Sequence, residues 1–286
     1  MKTSCSFLIA LVIFCCVFTA QGKSTYVGST PPDQVVRKFL NISLTDSIDF
    51  IRWKLEIGSS AFELECQYGL AKAGTPGFTK DNNLIVTGQL TKAGDYYHLR
   101  HNDKQIFLLE INANLLLLLN QQKQMLVGNG GYSYALNNID PVKTDQYKIH
   151  AVQSSPSHPL IFEGRTPCQE LSALLGLGKS EACDKLKWYF VFYTDSVTGK
   201  PSHYLKAGMG YTKQNMEKGQ WEIITKKNGQ IIYKLSPANK TYTLYLLKGD
   251  ENILFFIDRD GRPLVGNENF SYLLNRKREA GPLLQR

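Results

Sequence analysis

The residues able to do chemistry are few and scattered. His98 and His101 stand three apart. On a strand that spacing sends them to opposite faces, so they converge only in a turn, which Asn102-Asp103 supplies. Together they are the candidate ligand or metal pair; separately they are solvated turn histidines. A soft metal wants Met and Cys beside His, yet Met125, Met209 and Met216 form no cluster. Gly176-Leu177-Gly178-Lys179-Ser180 ends like a phosphate-binding loop, but Ala173 stands where that motif needs its first glycine. Gly176 and Gly178 therefore read as helix-ending residues. Neither G-x-S-x-G nor H-E-x-x-H occurs. Glu163, Arg165 and Asp195 could gather into a polar cluster, but an ion pair near a strand end accounts for them. The expectation is a protein without enzymatic activity and without a cofactor.

The cysteines and the start of the chain point to export. Lys2 precedes an apolar run from Phe7 to Phe18, and Ala20-Gln21-Gly22 offers small residues for cleavage before Lys23. That is the plan of a signal peptide over residues 1–22, and the run is too short to span a bilayer. Cys15 follows Phe14 and Cys16 follows Cys15, so neither has the small preceding residue of a lipid-anchored cysteine. A soluble periplasmic or extracellular protein is expected, with no transmembrane segment after the signal. Of the remaining cysteines, Cys168 and Cys183 are the nearest pair and the candidate disulfide in an oxidising compartment. A loop of about 15 residues makes such a bond worth at most ~3 kcal/mol. Cys66 alternates with Phe62 and Leu64 and reads as a buried free thiol.

The net charge is +8, dispersed along the chain. Dispersed basic charge supports solubility and argues against nucleic acid as a partner. Arg276-Lys277-Arg278 opens a basic, solvated tail.

The strongest internal signal is a repeat at an offset of 138. Between Ile106–Asn138 and Leu244–Arg276, 12 of 33 positions are identical without a gap. Leu126-Val127-Gly128-Asn129 answers Leu264-Val265-Gly266-Asn267, and Tyr132-Ser133-Tyr134 answers Phe270-Ser271-Tyr272. Trp53 and Trp188 align more weakly. Units of this size are domains rather than solenoid repeats. The expected organisation is a first repeat over 23–138, a linker over 139–158 containing Pro141, Pro156 and Pro159, a second repeat over 159–276, and the tail 277–286.

The repeated segments read as strands. Leu244–Leu247 and Ile253–Ile257 are short and rich in aromatic and branched residues. Leu115–Leu119 has the length of a buried strand. Asn228-Gly229 and Asp260-Gly261 signal hairpins, the latter leading into Pro263-Leu264-Val265. Gly128, Asn129, Gly266 and Asn267 read as repeated turns, and Tyr134 and Tyr272 as repeated core residues with satisfied hydroxyls. Asp33–Leu40 and Gln169–Leu177 are the helix candidates. The second half is expected to carry an inserted helical loop, closed by the disulfide, that a pared-down first half lacks. The fold class is all-β: two tandem antiparallel, lipocalin-like small barrels with a short helical loop in the second.

Phe162-Glu163-Gly164-Arg165-Thr166-Pro167-Cys168, Gly219-Gln220-Trp221 and Leu254-Phe255-Phe256-Ile257-Asp258-Arg259-Asp260-Gly261 resemble the barrel domain of NlpE-type envelope lipoproteins. The likeness covers mainly the second half. It implies a lipocalin-like barrel and a link to copper resistance and surface sensing. Two features depart from the family: its C-x-x-C is replaced by cysteines 15 apart, and the lipid-anchoring cysteine is missing. The leading expectation is thus an exported binding or envelope-sensing protein, whose partner is an unknown protein or a small apolar ligand. One alternative is a structural or interaction module with filled barrels. The other is a secreted enzyme of unmarked chemistry.

Overall fold

The computed structural model describes residues 23–144, 147–149, 159–175, 183–208 and 210–277. The signal segment 1–22, most of the expected linker, the stretch 176–180 and the tail beyond 277 lie outside the described residues.

Each half is a closed barrel of eight antiparallel strands in chain order. The first comprises β1 (Ser24–Thr30), β2 (Phe50–Ile57), β3 (Ala61–Ala71), β4 (Phe78–Ala93), β5 (Tyr96–His101), β6 (Lys104–Asn112), β7 (Leu115–Leu119) and β8 (Ala135–Asn138). The second comprises β9 (Leu160–Thr166), β10 (Leu186–Thr194), β11 (Pro201–Ala207), β12 (Glu217–Thr225), β13 (Ile231–Pro237), β14 (Leu244–Lys248), β15 (Ile253–Ile257) and β16 (Leu273–Arg276). Tyr26 and Val27 pair with Asn138 and Asn137 to close the first barrel; Glu163 and Phe162 pair with Asn275 and Arg276 to close the second. Closure leaves no sheet edge around the barrel wall.

Period-two patterning fills both interiors. Trp53, Leu55, Leu64, Cys66, Leu99 and Leu108 belong to the first core. Trp188, Phe190, Phe192, Tyr204, Trp221 and Phe256 belong to the second. Each such side chain contributes roughly 1.5–3 kcal/mol by leaving water. Strands β7 and β15 are buried at every position, because both of their faces are covered. In β7, Leu116 and Leu118 enter the first core while Leu115 and Leu117 face the other barrel. In β15, Leu254 and Phe256 enter the second core while Ile253, Phe255 and Ile257 face outward to the first.

A helix follows the first strand of each half: α1 (Gln34–Leu40) and α2 (Gln169–Leu174). The expected insertion in the second half is thereby corrected. Thr30–Trp53 and Thr166–Trp188 differ in length by one residue, and in both halves the tryptophan Nε1–H donates to that threonine's Oγ1, at 2.9 and 2.8 Å. The apolar positions correspond at an offset of 135, that of Trp53 and Trp188: Val36, Phe39 and Leu40 pack on the first core, and Leu171, Leu174 and Leu175 on the second. The correspondence is hard to read from sequence because this offset differs from the 138 of the closing motif and the intervening residue types differ. Asp33 caps α1 by accepting from the Val36 N–H at 2.9 Å. The Cys168–Cys183 disulfide pins α2, with Cα atoms 5.9 Å apart. A second correction concerns Pro263–Val265, which makes one isolated bridge, Ile257 with Pro263, and no strand. Proline has no N–H with which to extend the ladder.

Buried tyrosines make the fold sensitive to alkali. Burial pushes the Tyr26 and Tyr233 hydroxyls up to about 12, and burial also raises Tyr134, Tyr204, Tyr242 and Tyr272. The native state holds these protons after the unfolded chain has lost them, so stability is intact below pH 10 and falls as pH rises toward 12. Tyr26 and Tyr233 each account for about 2–3 kcal/mol of that loss. Phenolate absorbance from the buried tyrosines should therefore rise together with loss of the near-ultraviolet circular dichroism signal. Smooth titration near pH 10 with the dichroism unchanged would contradict this.

Candidate interaction surface at the seam between the barrels

The repeated sequence motif builds the contact between the two barrels. Ile111, Leu115, Leu117 and Ala135 of the first barrel share one apolar cluster with Ile232, Leu247, Ile253, Phe255, Ile257 and Leu273 of the second. Polar groups lock this layer reciprocally. The Asn137 Oδ1 accepts from the Gly266 N–H at 2.8 Å, and the Asn275 Oδ1 accepts from the Gly128 N–H at 2.8 Å. The offset of 138 exchanges these two bonds, which gives the seam the self-complementary character of a two-fold interface. The Asn137 Nδ2–H also donates to the Ser271 Oγ at 3.0 Å and to the Asn267 carbonyl at 3.3 Å. Glycine is required at both donor positions. A Cβ on Gly128 would lie 2.8 Å from the Asn275 carboxamide, and one on Gly266 would lie 2.9 Å from the Asn137 Oδ1.

The turns that present these glycines are also matched. The Asn129 Oδ1 accepts from the Gly131 and Tyr132 N–H groups at 3.0 and 2.9 Å. The Asn267 Oδ1 accepts from the Asn269 and Phe270 N–H groups at 2.9 and 3.0 Å. Tyr132 and Phe270, which are repeat equivalents, lie nearly parallel with ring centres 6.0 Å apart. Phe50 extends this stack to Phe78. Arg52 ties both barrels to the hairpin between β3 and β4, donating to Asn269 Oδ1 and the Pro76 carbonyl at 2.6 Å each. The Ser29 hydroxyl donates to the Glu268 carbonyl at 2.7 Å.

Tyr134 and Tyr272 are buried and reach from these closing strands to the helices. Burial and the nearby Asp33 carboxylate raise the Tyr134 hydroxyl, and the Tyr272 hydroxyl accepts from the Glu170 N–H at 3.3 Å. Each couples the repeated motif to the start of the helix in its own half.

The other sequence candidates lie apart. His98 pairs with Gln105 Oε1 at 2.9 Å and stacks on Phe107. His101 pairs with the Thr87 carbonyl at 2.7 Å and with Asn102. The two imidazoles thus engage different partners, and among the described residues no three His, Cys, Asp or Glu side chains gather as a metal site. Cys66 is a buried free thiol, raised well above the ordinary thiol range by burial. Glu163 meets Lys277 at 3.3 Å, whereas Asp195 organises its own turn through Val197 and Thr198. They form no common cluster.

Sequence reading missed one polar group inside the second barrel. Lys206 Nζ lies 2.5 Å from Glu217 Oε2 and donates to the Tyr242 hydroxyl at 2.9 Å. Both charged side chains are almost fully buried. Glu217 Oε1 and the Tyr204 hydroxyl are buried without a hydrogen-bond partner among the described residues. A lysine and a glutamate separated by ten residues carry no motif; only the strand register Lys206 opposite Glu217 brings them together. Among the described residues, no helix is long and apolar enough to cross a membrane.

Two grooves flank the seam. One, of about 660 Å³, lies between Met125–Val127 and Gly249–Asn252. The other, of about 300 Å³, lies between Pro263–Val265 and Asn112–Asn114.

No family model matches the chain, and no curated protein matches it. Among solved structures it is similar to the Cpx pathway activator NlpE from Escherichia coli, at 11% identity and a TM-score of 0.25, over 78% of this chain and 94% of that one.

Proposed function

We propose that the chain is an exported, non-enzymatic binding protein that works on its outer surface, gripping a protein partner beside the seam. An envelope-sensing role is one form of this reading. The observation that carries it is the interlocked seam, which fixes two barrels as one body and leaves grooves along their junction. The barrel interiors are lined with large side chains, among them Trp53, Trp188, Phe190, Phe192 and Tyr204. A carrier of a small apolar ligand needs that space open. The titratable pair inside, Lys206 and Glu217, is buried and mutually engaged rather than presented to a substrate. The Cys168–Cys183 bond suits an oxidising compartment, and residues 1–22 read as the export signal, so the working chain starts at Lys23.

Native mass spectrometry of protein exported by its own host tests this. The expected mass is that of the chain from Lys23, lighter than the reduced form by two hydrogens, with no small-molecule adduct. A reproducible adduct of small-molecule size would overturn the reading in favour of a ligand carrier.

A further inference from the structure

The repeat gives the seam two flanks, and they are not alike. On the first, Arg52 of β2 donates to the Asn269 Oδ1, and Ser29 of β1 donates to the Glu268 carbonyl. Each of these residues has a counterpart on the second flank. Gly130 and Gly131 stand where the offset of 138 puts Glu268 and Asn269. Lys187 precedes Trp188 as Arg52 precedes Trp53, and Arg165 precedes Thr166 as Ser29 precedes Thr30. The second flank thus has a glycine in place of the acceptor side chain and a second cation in place of the serine.

The result is a group of cations without acceptors. Arg165 and Lys187 are directly opposite on β9 and β10, where like charges destabilise a sheet. Among the described residues, neither side chain makes a hydrogen bond or an ion pair. Arg165 is half-buried and lies over the turn: a Cβ on Gly131 would be 3.6 Å from its Nη1. Burial pushes the Tyr132 hydroxyl up and the Arg165 and Arg52 guanidiniums oppose that push, so both cations reach this turn. Arg52 donates only to uncharged oxygens, those of Gln67, Pro76 and Asn269. Lys185 adds a third cation to the second flank, its Nζ 5.6 Å from the centre of the Phe270 ring. Glu163, which packs on Gly130, is engaged by Lys277 at 3.3 Å. A fully solvated lysine costs nothing, but a half-buried arginine facing a lysine lowers stability until an anion joins it.

We propose that the second flank, over Gly130 and Gly131, receives an acidic segment of a partner protein. The Arg165 guanidinium grips one carboxylate through its planar fork, and Lys187 and Lys185 attract further acidic side chains of the same segment. The partner supplies from outside the acceptor that Asn269 supplies on the first flank. A protein carboxylate suits this place better than a membrane surface, because the flank offers one fork at a turn bordered by Glu163 rather than an acid-free polybasic face. This rests on the surface-binding reading above and names the chemistry of the partner.

The probe is a fluorescein-labelled peptide, Gly-Glu-Asp-Glu-Leu-Gly, titrated by anisotropy into the chain from Lys23 at about 50 mM salt, where charge is weakly screened. Saturable binding is expected, and none for the peptide with Gln and Asn in place of Glu and Asp. Arg165→Gln should weaken it about tenfold or more without lowering the thermal melt, since it also relieves the repulsion with Lys187. Lys227→Gln, which removes the same charge at the β12–β13 turn, should leave it unchanged. Gly131→Asn copies the first flank and should weaken binding to a similar extent, although no charge is removed. Absence of saturable binding up to millimolar protein would overturn the site. So would binding that survives both Arg165→Gln and Gly131→Asn, or an equal loss with Lys227→Gln, which would reduce the effect to net charge. A melt lowered by Arg165→Gln would make the cation part of the fold instead. Arg165-dependent capture by phosphatidylglycerol vesicles without peptide binding would overturn the partner and assign the flank to an anionic membrane. None of these outcomes depends on the native mass measurement. A small-molecule adduct there defeats the surface-binding reading, whereas failure here with a clean mass defeats only this flank.

Discussion

Replacing Glu217 by alanine should cost about 3–5 kcal/mol of stability, whereas replacing Lys206 by methionine and Glu217 by leucine together should recover most of that loss. The pair is sealed inside the second barrel. Lys206 Nζ lies 2.5 Å from Glu217 Oε2 and near the rings of Trp188, Tyr211 and Tyr242. Burial pulls the Lys206 ammonium below the ordinary lysine range, and the Glu217 carboxylate opposes that pull. Without Glu217 the ammonium loses its counter-charge in a dry interior and is driven to the neutral amine. The unfolded chain then binds a proton that the native state does not, so the stability of Glu217→Ala should rise with pH up to the ordinary lysine range. Urea unfolding of the single and paired variants across pH measures both effects. A single-variant cost below about 1 kcal/mol, or a paired variant no better than the single, would refute the assignment.

The second large effect concerns the seam. Asn137 and Asn275 are buried to within 2%, and each accepts a backbone N–H from the opposite barrel. Asn137→Ala strands the Gly266 N–H, while the Ser271 hydroxyl keeps its bond to the Ala135 carbonyl; Asn275→Ala strands the Gly128 N–H. Each should cost about 1–3 kcal/mol, because a buried donor without a partner forfeits its hydration. Singly, the variants should leave one cooperative unfolding transition. Together they should uncouple the barrels, so that hydrogen-exchange mass spectrometry finds peptides of β2–β5 and of β10–β13 opening at different urea concentrations. Coincident opening in the double variant would mean that the apolar layer, with the Arg52–Asn269 and Ser29–Glu268 bonds, suffices to join the barrels.

Much of this architecture was legible in the sequence, for physical reasons. Period-two runs such as Phe62, Leu64 and Cys66 announce strands with one buried face, and Asn228-Gly229 announces its hairpin. The two all-apolar runs, Leu115–Leu119 and Ile253–Ile257, signal strands covered on both sides, although not by what. The seam itself was hidden because a repeat reports that positions are constrained in both copies and leaves the contact unnamed. Gly128 and Gly266 lead into the turns that Asn129 and Asn267 open, and they donate across the seam; only the second role needs the fold. One available signal was Asn137 and Asn275: a carboxamide directly after a core leucine, present in both halves. The α1–α2 equivalence was masked because it runs at an offset of 135 rather than 138, and Lys206–Glu217 by the absence of any local motif.

The most direct test of the interlocked seam is amide hydrogen exchange of Gly128 and Gly266, read by nuclear magnetic resonance on the mature chain. Both amides lie outside the strands, next to turns, where exchange is ordinarily fast. The seam predicts that both are slow, that Asn137→Ala releases Gly266 while Gly128 stays the slower of the two, and that Asn275→Ala does the reverse. Fast exchange at both glycines in the unaltered protein would show that the barrels are not joined in this way.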